Sequence, residues 1–410
     1  MDEIRIGVFG LGHRGIHWIR VLDRIDGYRI TAVGDIFPLQ ERALAEISNS
    51  EGVESYSSYE DMLADPNIDA IALCVRCEEQ GAMAARALEA GKHVNSEVPA
   101  AHTMEDLWRI VAAQEKTGLV YMLAEQMRYS GFITGWRDLV QQGRLGHVGY
   151  VEGEYMGRKK SDRYYQDHKT GEMIDIPDLA NHPDAQPTWL HKMPPIHYLC
   201  HDLSAMLSIL DDRVVKVTGM GTRPQSYLDD AIKRADIQVA LLHTEKDTVM
   251  RMACGWTLGR SRETRGHRYQ LIASHGTLET NPHMDELQSM WLADSQMHDV
   301  ARVDWRQERT DAPSPSPSEA AALAEIKPDY IGGRRTTGYS IPSIDYIVHS
   351  NFREAVLGEK PQEFDVYKAM DTAAPAILAA DSIEQGSHPI DVPDFHPDDS
   401  RPSGQLPKGI

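Results

Sequence analysis

The chain has 410 residues, 41% of them hydrophobic, and 62 acidic against 42 basic side chains give it a formal net charge of −20. Because single cores stop growing at roughly 250–300 residues, this length predicts two domains. The acidic balance disfavours nucleic acid and anionic membranes as partners. No apolar run approaches the roughly 18–20 residues of a membrane helix, and no signal-peptide pattern precedes the first strand, so we expect a cytoplasmic protein.

The N-terminal part alternates short apolar runs with helix-period segments, a pattern typical of a parallel sheet covered by helices. The predicted strands are Ile4–Phe9, Arg29–Val33, Ala70–Val75, His93–Asn95 and Val120–Leu123. The predicted helices are Pro38–Ile47, Glu78–Ala90 and Met104–Thr117, the last beginning at a capping box of Thr103 and Asp106. The sequence therefore predicts an α/β fold that opens with a Rossmann domain over residues 1–127.

From about Val148 the strands become longer and alternate in polarity, which is typical of a half-exposed antiparallel sheet. They are predicted at Val148–Met156, Val214–Thr218, Ile237–His243, Thr248–Trp256 and Arg268–Ala273, followed by a helix over Asp365–Gln385. Residues 128–387 are thus predicted to form an α+β domain with an open, mainly antiparallel sheet, and residues 388–410 an extended tail. The polar stretches 158–195 and 311–339 are either functional or disordered.

A glycine motif follows the first strand directly: Gly10, Gly12 and Gly15 form G-x-G-x-x-G around His13 and Arg14. In a strand–turn–helix context these glycines permit a tight turn, close approach of a pyrophosphate, and close helix packing. Asp35 lies at the end of the second strand, where a carboxylate accepts the ribose hydroxyls and repels a 2′-phosphate. The motif therefore predicts NAD rather than NADP.

The chain has four cysteines, of which Cys74 and Cys77 form C-x-x-C. They are too few and too scattered for a disulfide framework, and no second pair supplies the other ligands of a structural zinc site. We therefore predict no metal.

The segment from Gly91 to Pro99, G-K-H-V-N-S-E-V-P, completes a pattern that resembles the Gfo/Idh/MocA oxidoreductases, whose usual form is G-K-H-V-x-x-E-K-P. The resemblance covers essentially the whole chain. It implies a Rossmann domain followed by an α/β domain with an open antiparallel sheet, and a sugar or cyclitol held against the nicotinamide. The predicted cofactor contacts, beyond the three glycines and Asp35, are His13, Arg14, Val75, Arg76, Glu97 and Pro99.

The sequence departs from this pattern at Val98, where the family has a lysine that helps deprotonate the substrate hydroxyl. The Val form is similar to the branch of NAD-dependent α-N-acetylgalactosaminidase-like glycoside hydrolases, which also has E-V-P. Tyr198-Leu-Cys-His201 is similar to that branch's Y-P-T-H, whose Tyr and His are assigned catalytic roles. The His-Gly-Gly segment of the branch has no counterpart at residues 340–345.

Oxidation of a secondary alcohol by NAD requires a base with a pKa near the working pH, and imidazole suits this best. His201 is the first candidate, with Tyr198 and with His197 one helical turn before it. His168 with Tyr164 or Tyr165 is an alternative acid–base set. Candidate substrate contacts are Arg128, Tyr129, Arg158, Lys159, Arg163 and Tyr164, the basic ones suited to an acidic sugar. Glu97 and Gln126 could also face the substrate.

These residues indicate an NAD-dependent enzyme that oxidises a sugar ring hydroxyl, expected at C3. In the leading hypothesis, which the branch resemblance implies, the ketone permits elimination of the C1 substituent, water adds, and the ketone is reduced again. The net reaction is redox-neutral glycoside hydrolysis. A dehydrogenase that releases ketosugar and NADH is the second hypothesis, and an inactive NAD-binding sensor the third. The open sheet also predicts a homo-oligomer.

Overall fold

The computed structural model describes residues 3–157, 164–256, 266–280, 288–293, 301–303 and 344–410. Its N-terminal sheet has six parallel strands: β1 (Ile4–Phe9), β2 (Tyr28–Gly34), β3 (Glu54–Tyr56), β4 (Ala70–Leu73), β5 (His93–Ser96) and β6 (Tyr121–Leu123). Their spatial order is β3-β2-β1-β4-β5-β6. This order reverses direction between β1 and β4, which opens a crevice at the carboxyl ends of the strands. The predicted Rossmann fold is confirmed.

The helices that cover this sheet are α1 (His13–Leu22), α2 (Gln40–Leu44), α3 (Tyr59–Ala64), α4 (Cys77–Glu89) and α5 (Met104–Thr117). The Thr103 side chain caps α5 by accepting a hydrogen bond from the Asp106 backbone N–H at 3.2 Å. Gly118 ends the helix in the left-handed region, at φ 67°. Both ends of α5 therefore follow from local sequence signals.

The remaining helices and strands, in chain order, are α6 (Gly131–Gln141), β7 (Val148–Met156), β8 (Tyr165–Asp167), β9 (Met173–Ile174), β10 (Ala185–Pro187), α7 (Cys200–Leu210), β11 (Val214–Gly221), β12 (Ile237–Thr244), β13 (Val249–Gly255), β14 (His267–Ala273), β15 (Gly276–Thr280), β16 (Gln288–Leu292), β17 (Ala301–Val303), α8 (Ile344–Leu357), α9 (Val366–Glu384) and β18 (Ile390–Asp391). Short 3-10 helices cover Met127–Tyr129, Ile176–Asn181, Trp189–His191 and Pro195–Leu199.

The large C-terminal sheet has the order β17-β16-β15-β14-β7-β13-β12-β11-β18. Its strands pair antiparallel except β7 with β13, which are parallel, so the predicted mainly antiparallel sheet is confirmed. Helix α9 packs on β11 and α7 on β7, and alternate side chains of β12 are buried. The opposite face of the sheet exposes Met220, Leu241, Val249 and Ile272. The period of two in these strands is what separates the two faces.

A separate three-stranded sheet, β10-β8-β9, lies within the polar stretch 158–195. The other polar stretch, 311–339, lies outside the described residues. Within the part of the chain that the structure describes, no helix is long and apolar enough to span a membrane.

The C-terminal residues dock on α5 through a buried ion pair. Arg401 donates from Nη1 and Nη2 to the two carboxylate oxygens of Glu115, at 2.8 and 2.9 Å. The same carboxylate accepts hydrogen bonds from the Tyr367 hydroxyl and the Gly404 N–H. The predicted extended tail thus lies on the chain's own Rossmann domain. Because Glu115 and Arg401 are buried, each charge is stabilised only while the other is present.

We expect Glu115→Ala to destabilise the protein strongly, because it leaves the Arg401 guanidinium buried without its carboxylate. Removing one partner of a buried pair costs about 3–5 kcal/mol. The matched control is Glu354→Ala, which breaks the ion pair with the exposed Lys360 and should cost less than about 1 kcal/mol. Urea unfolding followed by circular dichroism measures both. Equal losses in the two variants would contradict the structural role of the pair.

Candidate active site

The three motif glycines shape the start of the crevice between β1 and α1. Gly10 has φ 93°, and a Cβ there would collide with the Cys74 carbonyl, while a Cβ on Gly15 would collide with the Gly10 carbonyl. A Cβ on Gly12, in contrast, would meet no heavy atom within 4 Å. No side chain caps the N-terminus of α1, and its first turn has no acidic residue. This leaves open space before a helix N-terminus, the arrangement that a pyrophosphate requires.

Asp35 lies directly after β2, on the same edge of the sheet. Its carboxylate accepts hydrogen bonds from the backbone N–H groups of Leu11 at 2.5 Å and Phe37 at 2.9 Å. Burial raises the pKa of Asp35, against the effect of these hydrogen bonds. Each carboxylate oxygen retains a further lone pair for a ribose hydroxyl. The glycine motif and Asp35 therefore fit NAD.

Arg14 connects the glycine motif to two carboxylates. It donates to Glu97 at 2.8 Å and to Asp345 of α8 at 2.6 Å, and His17 also contacts Asp345. Burial alone would raise the pKa of Asp345, but Arg14 and His17 lower it well below its usual value. Burial raises the pKa of Glu97, with Arg14 opposing. The Arg14 guanidinium thus connects the glycine motif to the loop after β5 and to α8. The backbone N–H of Arg14, at the start of α1, is the group suited to a phosphate.

The loop after β5 is held by Gln80, a buried residue of α4. Its Oε1 accepts a hydrogen bond from the Val75 N–H at 3.1 Å, and its Nε2 donates to the carbonyls of Glu97 and Pro99. Gln80 therefore fixes the ends of β4 and β5 relative to each other. Sequence reasoning missed it because a glutamine within a helical pattern is ordinarily solvent-exposed.

His201, at the start of α7, lies beside Glu125, which follows β6. Its Nδ1 is 2.7 Å from Oε2 of Glu125, a fully buried carboxylate whose Oε1 accepts from the Met127 N–H. Burial alone would lower the pKa of His201, but Glu125, with Glu97 and Asp202, raises it above its usual 6.5. The two atoms form a close ion-pair contact without the angle of a hydrogen bond, and the negative charge of Glu125 favours a proton on Nδ1, which leaves Nε2 as the basic nitrogen.

A second carboxylate–imidazole pair lies next to the first. Nδ1 of His267 is 2.8 Å from Oδ1 of the buried Asp202, which also accepts from the Tyr269 hydroxyl at 2.8 Å. The His201 and His267 rings are 5.7 Å apart between centroids. Two groups capable of proton transfer are therefore within reach of one small substrate.

Aromatic rings surround both imidazoles. Tyr155 stacks on His267 with centroids 4.0 Å apart and meets His201 edge-on at 5.5 Å. Tyr198 stacks on His201 at 6.2 Å and packs against Trp256 at 4.5 Å. The predicted neighbours Tyr198 and His201 are thus brought together in the structure.

His197 points elsewhere, since its ring packs against His102 with centroids 4.7 Å apart. The predicted shared helical face does not exist, because residues Pro195–Leu199 form a 3-10 helix that ends where α7 begins. Burial, together with His102, lowers the pKa of His197 to about 3. Val98 is buried in the hydrophobic core. His197 therefore stays neutral near pH 7, and Val98 has no titratable group.

Several predicted substrate residues contact protein groups instead. The guanidinium of Arg128 is 4.0 Å from the Phe364 ring, reaches Glu363 at 3.6 Å, and lies over the ring of the buried Tyr129. The buried Tyr164 hydroxyl accepts from Arg234 at 2.9 Å. Gln126 is buried beside Glu125. Arg158, Lys159 and Arg163 lie outside the described residues.

The alternative acid–base set does not assemble around the imidazole pairs. His168 lines a cavity with Ile36 and Arg76 at the other end of the crevice, and Tyr165 packs against His191. None of the four cysteines, all of which lie in the described part of the chain, forms a disulfide, and Cys77 contacts the Met193 sulfur at 3.1 Å. Among the described side chains, no group of three or more His, Cys, Asp or Glu residues is arranged to hold a metal ion.

The family models agree with this geometry. Residues 4–125 match the oxidoreductase family with an NAD-binding Rossmann fold, and residues 134–279 match the GFO/IDH/MocA C-terminal domain. Fold and site thus define a two-domain, NAD-dependent enzyme. The two matches together cover more than half of the chain, and the chain belongs to the Gfo/Idh/MocA oxidoreductase family. Residues 333–399 match the C-terminal domain of glycosyl hydrolase 109, which confirms the resemblance to that branch.

Full-length relatives point the same way. A glycosyl hydrolase family 109 protein of Phocaeicola vulgatus is 26% identical, over 96% of this chain and 94% of its own. An alpha-N-acetylgalactosaminidase of Bacteroides fragilis is 24% identical, over 96% and 92%. Among solved structures, levoglucosan dehydrogenase with NADH and L-sorbose has a TM-score of 0.71 at 15% identity, covering 96% of this chain and 100% of that one. This last likeness shows a shared fold.

We expect Gly12→Val to fold normally but to lose NAD, because the added side chain enters space that no protein atom occupies. Gly15→Val serves as the contrast, since its side chain would collide with the Gly10 carbonyl and disturb the fold itself. Melting temperature and the NAD content of the purified protein separate the two effects. Retention of NAD by Gly12→Val would place the pyrophosphate elsewhere.

We expect Glu125→Gln to lower the pKa of His201, because the neutral amide removes the charge that favours the imidazolium. A function that needs neutral His201 rises with pH through this pKa, so its acid limb should lie above pH 6.5 in the parent protein and move to lower pH in the variant. Histidine NMR titration measures the shift directly. Glu279→Gln, which alters an exposed pair with Arg268, is the control that should leave the titration unchanged.

Proposed function

We propose that the protein is an NAD-dependent, sugar-active enzyme that hydrolyses a glycoside through transient oxidation of a ring hydroxyl, at C3. The observation that carries this proposal is the pair of carboxylate-linked imidazoles, His201 with Glu125 and His267 with Asp202, 5.7 Å apart. A simple alcohol oxidation requires one base. Oxidation followed by elimination requires a second, for the C2 proton.

His201 is the proposed base for the hydroxyl. Because Glu125 follows β6 and Glu97 follows β5, His201 lies at the end of the crevice opposite Asp35 and the ribose that Asp35 would bind. A dinucleotide held by the glycine motif and Asp35 would span the crevice and bring its nicotinamide to this end. NAD bound in this way would supply the hydride acceptor for the oxidation and the hydride donor for the final reduction. Nε2 of His201 takes the hydroxyl proton as the C3 ketone forms. His201 thereby takes over the deprotonation that a lysine performs in the family and that Val98 cannot perform.

His267 is the proposed base for C2. The ketone acidifies the C2 proton, and Nε2 of His267 accepts it while Nδ1–H remains bonded to Asp202. The electron pair expels the C1 substituent, whose oxygen takes a proton from the hydroxyl of Tyr198 or Tyr155, the proposed acid. Water then adds at C1 and gives its proton back to that tyrosine. The C2 proton returns from His267, and His201 returns its proton to the C3 oxygen as the ketone is reduced.

The relatives support the hydrolase as the first candidate function and the dehydrogenase as the second. The relatives that align over the full length include one named alpha-N-acetylgalactosaminidase, whereas the levoglucosan dehydrogenase shares the fold at 15% identity. The second candidate function is therefore a sugar dehydrogenase that releases ketosugar and NADH.

The exposed apolar side chains on the large sheet favour a homo-oligomer that covers this face.

The test is an NMR assay in D₂O with the as-purified protein and no added cofactor, against α- and β-glycosides that include N-acetylated and acidic sugars. We expect free sugar with deuterium at C2. Ketosugar that forms only when NAD is added, with matching NADH, would instead establish the dehydrogenase.

Three variants distinguish the roles in the same assay. His201→Ala should lower both hydride transfer and hydrolysis by about 10²–10⁴-fold, since a positioned base contributes that much. His267→Ala should still reduce bound NAD, seen as NADH absorbance, but should lose deuterium exchange at C2. His147→Ala, which alters an exposed imidazole remote in the sequence, should change neither. Unchanged exchange in His267→Ala would remove His267 from the mechanism.

A further inference from the structure

A cavity of about 370 Å³ lies between the Rossmann domain and the small sheet β8–β10. Ile36, Phe37 and Arg76 line one side, and Gln166, His168 and Gln186 line the other. The volume is in the range of small-molecule sites, roughly 300–1,000 Å³. The large C-terminal sheet and both imidazole pairs contribute nothing to it.

The position of the cavity identifies its occupant. Ile36 and Phe37 follow Asp35, the residue suited to the ribose of the adenosine half, and Ile36 is 66% exposed in spite of being apolar. In a doubly wound sheet the dinucleotide lies in the crevice at the carboxyl ends of the strands, so the base attached to this ribose would lie near the ends of β2 and β4. Arg76 follows β4, and its planar guanidinium can stack on a nucleobase.

The small sheet is attached to the Rossmann domain at this cavity. Arg76 donates from Nη2 to Oε1 of Gln166 at 2.8 Å, and Nε2 of Gln166 donates to the Gly171 carbonyl at 2.9 Å. Gly171 has φ 76° and packs so closely on Phe37 that a Cβ there would lie about 2.9 Å from the ring. The turn between β8 and β9 is itself rigid, because Asp167 accepts from the N–H groups of Lys169 and Thr170.

We infer that the small sheet β8–β10 is a clamp that closes over the adenosine half of NAD and sets the rate at which the cofactor leaves. Release requires the Arg76–Gln166 hydrogen bond and the Gly171–Phe37 contact to open together. An enzyme that reuses one NAD in every cycle benefits from slow release, but the clamp depends only on NAD binding and holds for a dehydrogenase as well.

The test measures NAD release from the purified holo-protein by trapping free NAD with a coupled dehydrogenase that forms fluorescent NADH. Gln166→Ala removes a hydrogen bond to a charged group and should speed release about tenfold or more. Gly171→Ala should do the same by pushing the turn away from Phe37. Lys169→Ala is the matched control, because its side chain pairs with Asp184 inside the small sheet's own segment and should leave release unchanged.

The NMR titration of His201 in the same variants reports on the opposite end of the crevice. Faster release with an unchanged His201 titration supports the clamp. Unchanged release in both Gln166→Ala and Gly171→Ala would overturn it. A His201 titration that shifts together with release would also overturn it, because the variants would then have loosened the whole crevice. None of these readouts involves turnover of a sugar, so the result is independent of the proposed hydrolysis.

Discussion

The alignment of the parallel strands governs everything else in this molecule. Parallel strands end at the same edge of a sheet, so residues far apart in sequence, Gly10, Asp35, Glu97 and Glu125, meet along one crevice. The reversal of strand order between β1 and β4 opens that crevice at its centre. The glycine motif lies there, and the adenosine and nicotinamide ends of the predicted NAD site extend to either side.

Burial of charge then couples the crevice to the C-terminal part of the chain. A buried carboxylate is tolerated only with a partner, and Glu97, Glu125 and Asp345 each have one. Arg14 joins Glu97 to α8, and His201 of α7 pairs with Glu125 after β6. The second domain is therefore held in register with the nucleotide crevice by electrostatic contacts as well as by apolar packing, which fixes the imidazole where the proposed chemistry needs it.

Local signals in the sequence predict the N-terminal fold well. The bounds of β1 and α5 agree with the apolar run Ile4–Phe9 and with the cap at Thr103, because hydrogen bonds within a few residues decide both elements. Strand β3 and helix α3 escaped prediction, since three and six residues carry too little periodicity to be recognised. The small sheet escaped for the same reason, since its strands are only two or three residues long.

The proposed catalytic groups show the limit of sequence reasoning more sharply. Tyr198 and His201 could be found from a motif, but Glu125, Asp202 and His267 could not be assigned to them. The pairing of His201 with Glu125, 76 positions apart, depends on how the two domains pack, and that of Asp202 with His267, 65 positions apart, depends on how α7 packs against β14. One signal in the sequence marks Glu125: it directly follows a strand of the parallel sheet, and polar side chains at such strand ends line the crevice. His267 is the first residue of β14, one position before the predicted strand Arg268–Ala273, and no motif marks it.

The two carboxylate–imidazole pairs explain how the protein could work with Val98 in place of the family's lysine. A lysine in the loop after β5 would bring a cationic group to the substrate hydroxyl from the Rossmann side, whereas Val98 packs into the core. The proposed base approaches from α7 instead, and the carboxylate of its partner Glu125 neutralises the imidazolium that forms when Nε2 takes the proton. A neutral ion pair can be buried beside a hydride-transfer site at lower cost than an isolated ammonium. Loss of the lysine is therefore compatible with retained chemistry, provided that the proton moves through His201 and that a separate group, His267, handles the carbon acid.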